Sequence, residues 1–338
     1  MQRSKPIVAI ATGDPAGIGP EIALKAALDP AVRAACNPIL VSDAGILGRH
    51  ASLCGIKGAL RAVERIADVE WTGDAVNVLA CPTPEAIEIG KTTAAAGRAS
   101  IAFCHAAVKA ALAGEVNAVA AAPQNETSIA MACIPFDGHP SFVARETGTD
   151  EDSVFMVLCF GDVKIAHATL HQSVTQAIGA ITRERVGRVI AATDRVLRQL
   201  GIEAPTIAVS GLNPHAGEGG LFGREEIEII TPAIDAARAE GIAVTGPFGA
   251  DTLFQRPGID AFIVMLHDQG HIAAKLLAPN AVAALTIGTP ILFSSVAHGS
   301  AHDIAGKGIA DPTAMIDAVL RLARAKRGSE QRATSSPR

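Results

Sequence analysis

Short apolar runs alternate along this chain with stretches of helical periodicity, and that alternation restricts the fold more than any other feature. Pro6 to Ala11 and Pro38 to Ser42 read as the first two strands. Thr93 to Gly114 is an alanine-rich helix leading into a strand from Ala118 to Ala122. Val154 to Phe160 and Val163 to Ala168 are apolar runs separated by Gly161 and Asp162, a hairpin-like pair. Thr206 to Ser210 and Ala261 to Leu266 are short, and each ends in a polar cluster. Strands of this kind belong to a sheet covered by helices. No internal repeat and no Ser/Pro-rich linker interrupts the pattern. The expectation is α/β, two α/β/α domains sharing a continuous mixed sheet: residues 1–135 with 289–338 in the first, 136–288 in the second.

Composition narrows the class. A chain of 338 residues suits two domains, and 49% hydrophobic with only 3% aromatic residues suits close helix–sheet packing. A net charge of −5, with Lys and Arg scattered, argues against a nucleic-acid partner. No apolar run reaches the roughly 18 residues of a membrane span. Met1 to Pro6 is basic but lacks the apolar stretch of a signal peptide. The 6 cysteines lie far apart with no CxxC pair, as reduced thiols in the cytoplasm would. The tail from Lys326 to Arg338 has no apolar periodicity and predicts no packed structure.

Three stretches carry chemistry. Ala297 to Met315 (AHGSAHDIAGKGIADPTAM) is rich in glycine and ends in an Asp-Pro helix start, with Asp311 as N-cap and Pro312 at the first helical position. Such a loop exposes backbone N–H groups and lets a ligand approach closely. Gly13 to Ile22 (GDPAGIGPEI) follows a strand and opens a helix. It reads either as a turn lining a cleft or as an anion-holding loop. Third, His171, His215 and His267 each follow a strand, where ligands bind in parallel sheets. Imidazoles suit Zn, Co, Ni, Mn or Fe and leave positions open for substrate. Asp251 and Asp268 are candidates to orient a ligating ring. His167, His271 and His298 read as supporting or structural, and Gly217 to Gly220 as a tight turn presenting His215.

The 297–315 string resembles the adenosine-binding loop of the isopropylmalate and isocitrate dehydrogenases. GDPAGIGPEI, GLNPHAGEGG (Gly211 to Gly220), ADTLF (Ala250 to Phe254) and HDQGH (His267 to His271) resemble the 4-hydroxythreonine-4-phosphate dehydrogenase family, from about residue 6 to 325. The resemblance implies an isocitrate/isopropylmalate dehydrogenase-like fold and a homodimer with shared active sites. It also implies NAD or NADP and one divalent metal (Zn, Co, Mn, Ni, Fe or Mg) on His171, His215 and His267. His139 and Lys275 match substrate contacts, and Asp251 joins them as a catalytic candidate. His298, Gly299, Ser300, Ala301, Asp303, Gly306 and Asp311 match the cofactor loop.

The departures from the family pattern point to the substrate. Pro140 and Ser141 follow His139 where Thr-Glu is usual, Glu126 replaces a Lys, and a phosphate-holding Asn and Arg fall on Ala284 and Phe293. Phe cannot replace an Arg fork on phosphate. With HATLHQSV and KLLAPN (Lys275 to Asn280), these departures resemble the terephthalate cis-dihydrodiol dehydrogenase branch. The expected activity is NAD-linked oxidation and decarboxylation of a carboxylated cyclohexadiene cis-dihydrodiol to a catechol acid. The alternative substrate is 4-phosphohydroxy-L-threonine, or threonate or erythronate 4-phosphate. A non-catalytic ligand-binding relative is disfavoured by the intact His171, His215, His267 and Lys275.

Overall fold

Strand β1 (Ile7–Ala11) forms because an unbroken run of Ile, Val and Ala suits a pleat covered on both faces, and Val8 to Ala11 are fully buried. The computed structural model describes residues 5–71, 73–278 and 282–325. It divides into two compact units, Met1–Thr149 with Asn280–Ala323, and Asp150–Pro279 with Arg324–Arg338.

In the first unit β1 lies parallel between β2 (Asn37–Ser42) and a later strand. Outward from β2 come β4 (Val76–Ala80) and β3 (Leu60–Val63), and on the other side of β1 lies β5 (Ala118–Ala121). Helices α1 (Gly19–Leu28), α2 (Pro30–Ala35), α3 (Ala44–Leu53), α4 (Ala94–Leu112), α5 (Glu126–Met131) and α6 (His139–Thr147) belong to the same unit. Side-chain caps start four of them: Asp29, Asp43, Thr93 and Asn125 each accept first-turn N–H groups. Pro140 sits in the first turn of α6, where its missing N–H breaks no helix bond. Helix α6 packs on α4, so it belongs with this unit, although the sequence reading opened its second domain at 136.

The second unit contains β6 (Phe155–Phe160), β7 (Val163–His167), α7 (Val174–Ala180), α8 (Arg183–Gln199), β8 (Thr206–Ser210), α9 (Thr231–Ala239), β9 (Ala243–Phe248), β10 (Ala261–Val264) and α10 (His267–Leu277). Its strand order is β6-β7-β10-β8-β9. Among the described residues of this unit only the β6/β7 pair is antiparallel, turning through Gly161 and Asp162 as the sequence indicated. Helix α8 is amphipathic and buries Val186, Val189, Ile190, Val196 and Leu197. Helix α10 turns Gly270 and Ala274 inward against β6, β7 and β10.

The returning chain adds β11 (Ala283–Ile287), β12 (Phe293–Val296) and α11 (Thr313–Ala323) to the first unit. Strand β12 pairs parallel with β5 and antiparallel with β11. Asp311 accepts from the Thr313 N–H (2.9 Å) and hydroxyl (2.6 Å), but α11 begins at Thr313, so Pro312 precedes the helix and Asp311 lies one residue further out than the expected N-cap. The tail Lys326 to Arg338, and Pro279 and Asn280 of the KLLAPN run, lie outside the described residues. Among the described residues no helix is long and apolar enough to cross a membrane.

Candidate functional site

In the first unit the two glycine-rich motifs meet. The Gly13–Ile22 turn follows β1 and runs into α1, and the 297–315 loop lies directly on it. The Ile18 N–H donates to the Ser300 carbonyl (2.9 Å), and a Cβ on Gly17 would collide with Ser300. The Asp14 carboxylate, wholly buried, accepts the Ala16 N–H (2.9 Å) through one oxygen and pairs with His302 Nε2 (2.6 Å) through the other. Asn125 donates to the Ser300 hydroxyl (3.2 Å). Ala301 adopts the left-handed region, as do Gly306 and Gly308. At Gly299 a Cβ would meet nothing within 4 Å, and Asp303 and Asp311 are exposed. This open, glycine-rich face fits a nucleotide cofactor in chemistry and access.

His139 opens α6, with its ring 5.4 Å from Phe293 and 5.7 Å, edge-on, from Phe136. Burial pushes its pKa down to about 4, so the ring is neutral at physiological pH. Its Nε2 is enclosed and makes no hydrogen bond. Phe293 is fully buried in an apolar core that includes Val108, Val119, Phe142 and Val143. Ala284, on β11, is buried too, and its carbonyl accepts the Ser294 hydroxyl (3.1 Å). Glu126 is exposed at the start of α5.

In the second unit His171, His267 and His215 follow β7, β10 and β8, which are neighbours in that order and parallel. The His171 and His267 rings lie 5.5 Å apart. His267 stacks on His271 at 3.7 Å and 9°, and its Nδ1 lies 2.7 Å from Asp268 Oδ1, so Nε2 is the nitrogen on the other side of the ring from that carboxylate. Lys275 follows at the next helical repeat of the same α10 face and is exposed. Behind them His167, fully buried, packs on Gly270; burial first, then His271, pushes its pKa down to about 3. Burial and the His267 ring push His271 down to about 4.

His215 is directed elsewhere in this structure. Its Nδ1 lies 3.5 Å from Glu218 Oε2, and its ring is 6.0 Å from Phe222. It stands on a left-handed turn in which His215, Ala216, Gly217, Glu218 and Gly219 all have positive φ. For the non-glycine members that conformation is costly and persists only where surroundings enforce it. Buried Glu226 anchors the entrance to this turn, accepting the N–H groups of Leu212 (2.8 Å) and Asn213 (2.7 Å). Asp251 is exposed beside this turn: a Cβ on Gly249 would lie 2.7 Å from Asp251 Oδ1 and 3.6 Å from His215 Cα.

Among the described residues no group of three or more His, Cys, Asp or Glu side chains surrounds one point as metal ligands. The chemistry of the donors does suit a divalent cation, with two imidazoles near one another and a carboxylate orienting one of them. The sequence reading missed Asp14, Asn125 and His302, and likewise Glu226. Asp14 and His302 had one signal, a charged or titratable group inside each glycine-rich string.

The second unit carries strand-end imidazoles, the first a glycine-rich loop seated on a glycine-rich turn, and comparison with known proteins places the chain among dehydrogenases. The chain belongs to the family described as "Pyridoxal phosphate biosynthetic protein PdxA", whose model matches residues 34–323. It is 40% identical over 319 residues, 93% of this chain and 96% of the other, to the 1,2-dihydroxy-3,5-cyclohexadiene-1,4-dicarboxylate dehydrogenase of Comamonas sp. It is 38% identical to the D-threonate 4-phosphate dehydrogenase of Cupriavidus necator, covering 93% of this chain and 95% of that one. Among solved structures it resembles a 4-hydroxythreonine-4-phosphate dehydrogenase from Burkholderia phymatum, with TM-score 0.85, 35% identity and coverage of 96% and 100%. The chain is therefore an oxidoreductase of the dehydrogenase type, and its kinship implies a nicotinamide cofactor. The family resemblance read from the motifs is borne out.

Proposed function

We propose that this chain oxidises and decarboxylates a carboxylated cyclohexadiene cis-dihydrodiol, such as terephthalate dihydrodiol, with NAD or NADP as acceptor. The observation that carries the reading is the burial of Phe293 among apolar side chains with the His139 ring against it, at the position where the family resemblance implies a phosphate-holding Arg. A phosphate dianion needs cationic donors. Neither Phe293 nor Ala284 offers one, and Glu126 is of the wrong sign. The chain is 40% identical to the Comamonas dicarboxylate dehydrogenase and equally to a "Putative D-threonate 4-phosphate dehydrogenase", so identity fits either class and the choice rests on the side chains.

In this reading His171, His215 and His267 would hold a divalent metal, which would supply the Lewis acidity that acidifies a hydroxyl and polarises a ketone. Asp268 fixes the His267 ring through Nδ1, Glu218 faces the His215 Nδ1, and Asp251 stands beside the His215 turn as a second carboxylate there. His298 to Asp311 would seat the nicotinamide cofactor, which would supply the hydride acceptor for oxidation of the carbinol. His139, neutral with an unused Nε2, orients a substrate oxygen. Lys275 pairs with a ring carboxylate or relays the hydroxyl proton. Loss of CO₂ from the carbon beside the new ketone then leaves the aromatic catechol acid. A homodimer with shared sites would cover the exposed Ile272, Leu276 and Leu277 of α10.

A side-by-side screen followed by NADH absorbance tests the proposal. The carboxylated diol is expected to exceed 4-phosphohydroxythreonine and D-threonate 4-phosphate at least about a hundredfold in kcat/KM, since one lost charged contact costs about 3 kcal/mol. Equal efficiencies, or preference for either phosphate ester, overturn it.

A further inference from the structure

One pair on α1 ties down the far end of the glycine-rich loop. Glu21 is wholly buried, and its Oε1 accepts from both Lys25 Nζ (2.7 Å) and the Ala310 N–H (2.9 Å). Its Oε2 accepts from the Cys54 thiol (3.3 Å). Lys25 Nζ spends its other two protons on the carbonyls of Gly308 (3.1 Å) and Ala310 (2.7 Å). A buried carboxylate is tolerated only with such compensation. Gly308 makes the approach possible: its φ is +76°, and a Cβ there would lie 3.1 Å from the Cys54 carbonyl.

Two side chains four residues apart on one helix thus bind the backbone of a segment more than 280 residues away. The same α1 is continuous with the turn that holds Ser300. The loop is therefore gripped at both ends by one rigid element, and its middle, Ala301 to Lys307, is placed between them. From this geometry we infer that Glu21 and Lys25 are positioning residues for the nicotinamide cofactor: they touch no reacting atom and act by pre-setting the loop's shape. The inference rests on the proposed role of residues 298–311 in holding that cofactor. Preorganisation of this kind is expressed in cofactor affinity rather than in the chemical step.

The test compares Lys25→Met, Lys25→Arg and Glu21→Gln with His298→Ala and Asp303→Ala, which alter the loop itself. NADH binding is read by fluorescence, steady-state kinetics separate KM from kcat, and amide exchange over residues 304–312 is followed in the cofactor-free protein. Lys25→Met is expected to weaken NADH binding and raise cofactor KM about tenfold with kcat within about twofold. It should also speed exchange at 304–312, and Lys25→Arg should regain most of the loss. Glu21→Gln, which keeps an oxygen for Ala310 and removes the charge, should show the same pattern more weakly and gives the answer if Lys25→Met does not fold. If the loop variants weaken NADH while the Lys25 and Glu21 variants match wild type in binding and exchange, the positioning role is overturned and the loop's role stands. If His298→Ala and Asp303→Ala leave NADH binding unchanged, the cofactor reading falls, and this inference with it.

Discussion

Gly17→Ala puts the meeting of the two glycine-rich motifs to a direct test. Gly17 does not need a left-handed backbone, so a methyl group there acts through space alone. Its Cβ would lie 2.8 Å from the Ser300 Cβ, and closer still to the Ser300 carbonyl, where ordinary contact begins at 3.4 Å. The loop must therefore retreat by roughly 0.6 Å or more, judged against ordinary packing distances. Overpacking of this kind costs about 1–3 kcal/mol, and losing the Ile18–Ser300 hydrogen bond adds about 1 kcal/mol. A net loss of about 3 kcal/mol lowers Tm by roughly 6–12 °C for units of this size. A misplacement approaching 1 Å at a reactant-holding loop costs on the order of tenfold to a hundredfold in rate. The assay pairs thermal unfolding by circular dichroism with kcat/KM for the cofactor at saturating substrate. Wild-type Tm together with wild-type cofactor kinetics would show that the turn and loop are not in register as described, and the reasoning would fail.

The other predictions concern the histidines and the core. His139, with its pKa pushed from 6.5 to about 4 by burial, binds a proton more weakly folded than unfolded. Its contribution is whole above pH 6.5 and is lost as pH falls toward 4, so His139→Gln should flatten the dependence of Tm on pH in that window. An unchanged slope refutes the assignment. Phe293→Ala should cost about 3–5 kcal/mol in urea denaturation because it empties a fully buried site; a loss below about 1 kcal/mol contradicts the packing. Gly270→Ala should destabilise by about 1–3 kcal/mol, since its Cβ would lie 2.9 Å from Ile165 Cγ2 and collide with His167; a neutral effect on the melting curve would count against that contact. Exhaustive chelation is expected to abolish turnover, and His267→Ala to lose bound metal while staying folded; full activity in metal-free protein contradicts the proposed ligand set.

Much of this molecule is local in origin, and that part was readable from the chain. Runs such as Ile7–Ala11 and Phe155–Phe160 are apolar over the length of a buried strand. Caps at Asp29, Thr93 and Thr182 lie within three residues of the groups they satisfy. The strand-end positions of His171, His215 and His267 follow from counting along those runs. Partnerships across sequence are another matter. Nothing near Asp14 announces that His302, 288 residues on, will pair with it, nor does anything near Glu21 announce Ala310. Periodicity says which face of an element is buried, not which distant backbone group will need the carboxylate placed there. The left-handed run His215–Gly219 is the clearest case: His215, Ala216 and Glu218 disfavour that conformation, and the chain enters it from Leu212 and Asn213, which buried Glu226 holds from a segment further on. Local preference decided the elements and the strand ends at which chemistry sits. Tertiary packing alone decided how those ends are held, because only there do charges and backbone groups far apart in sequence satisfy one another out of water.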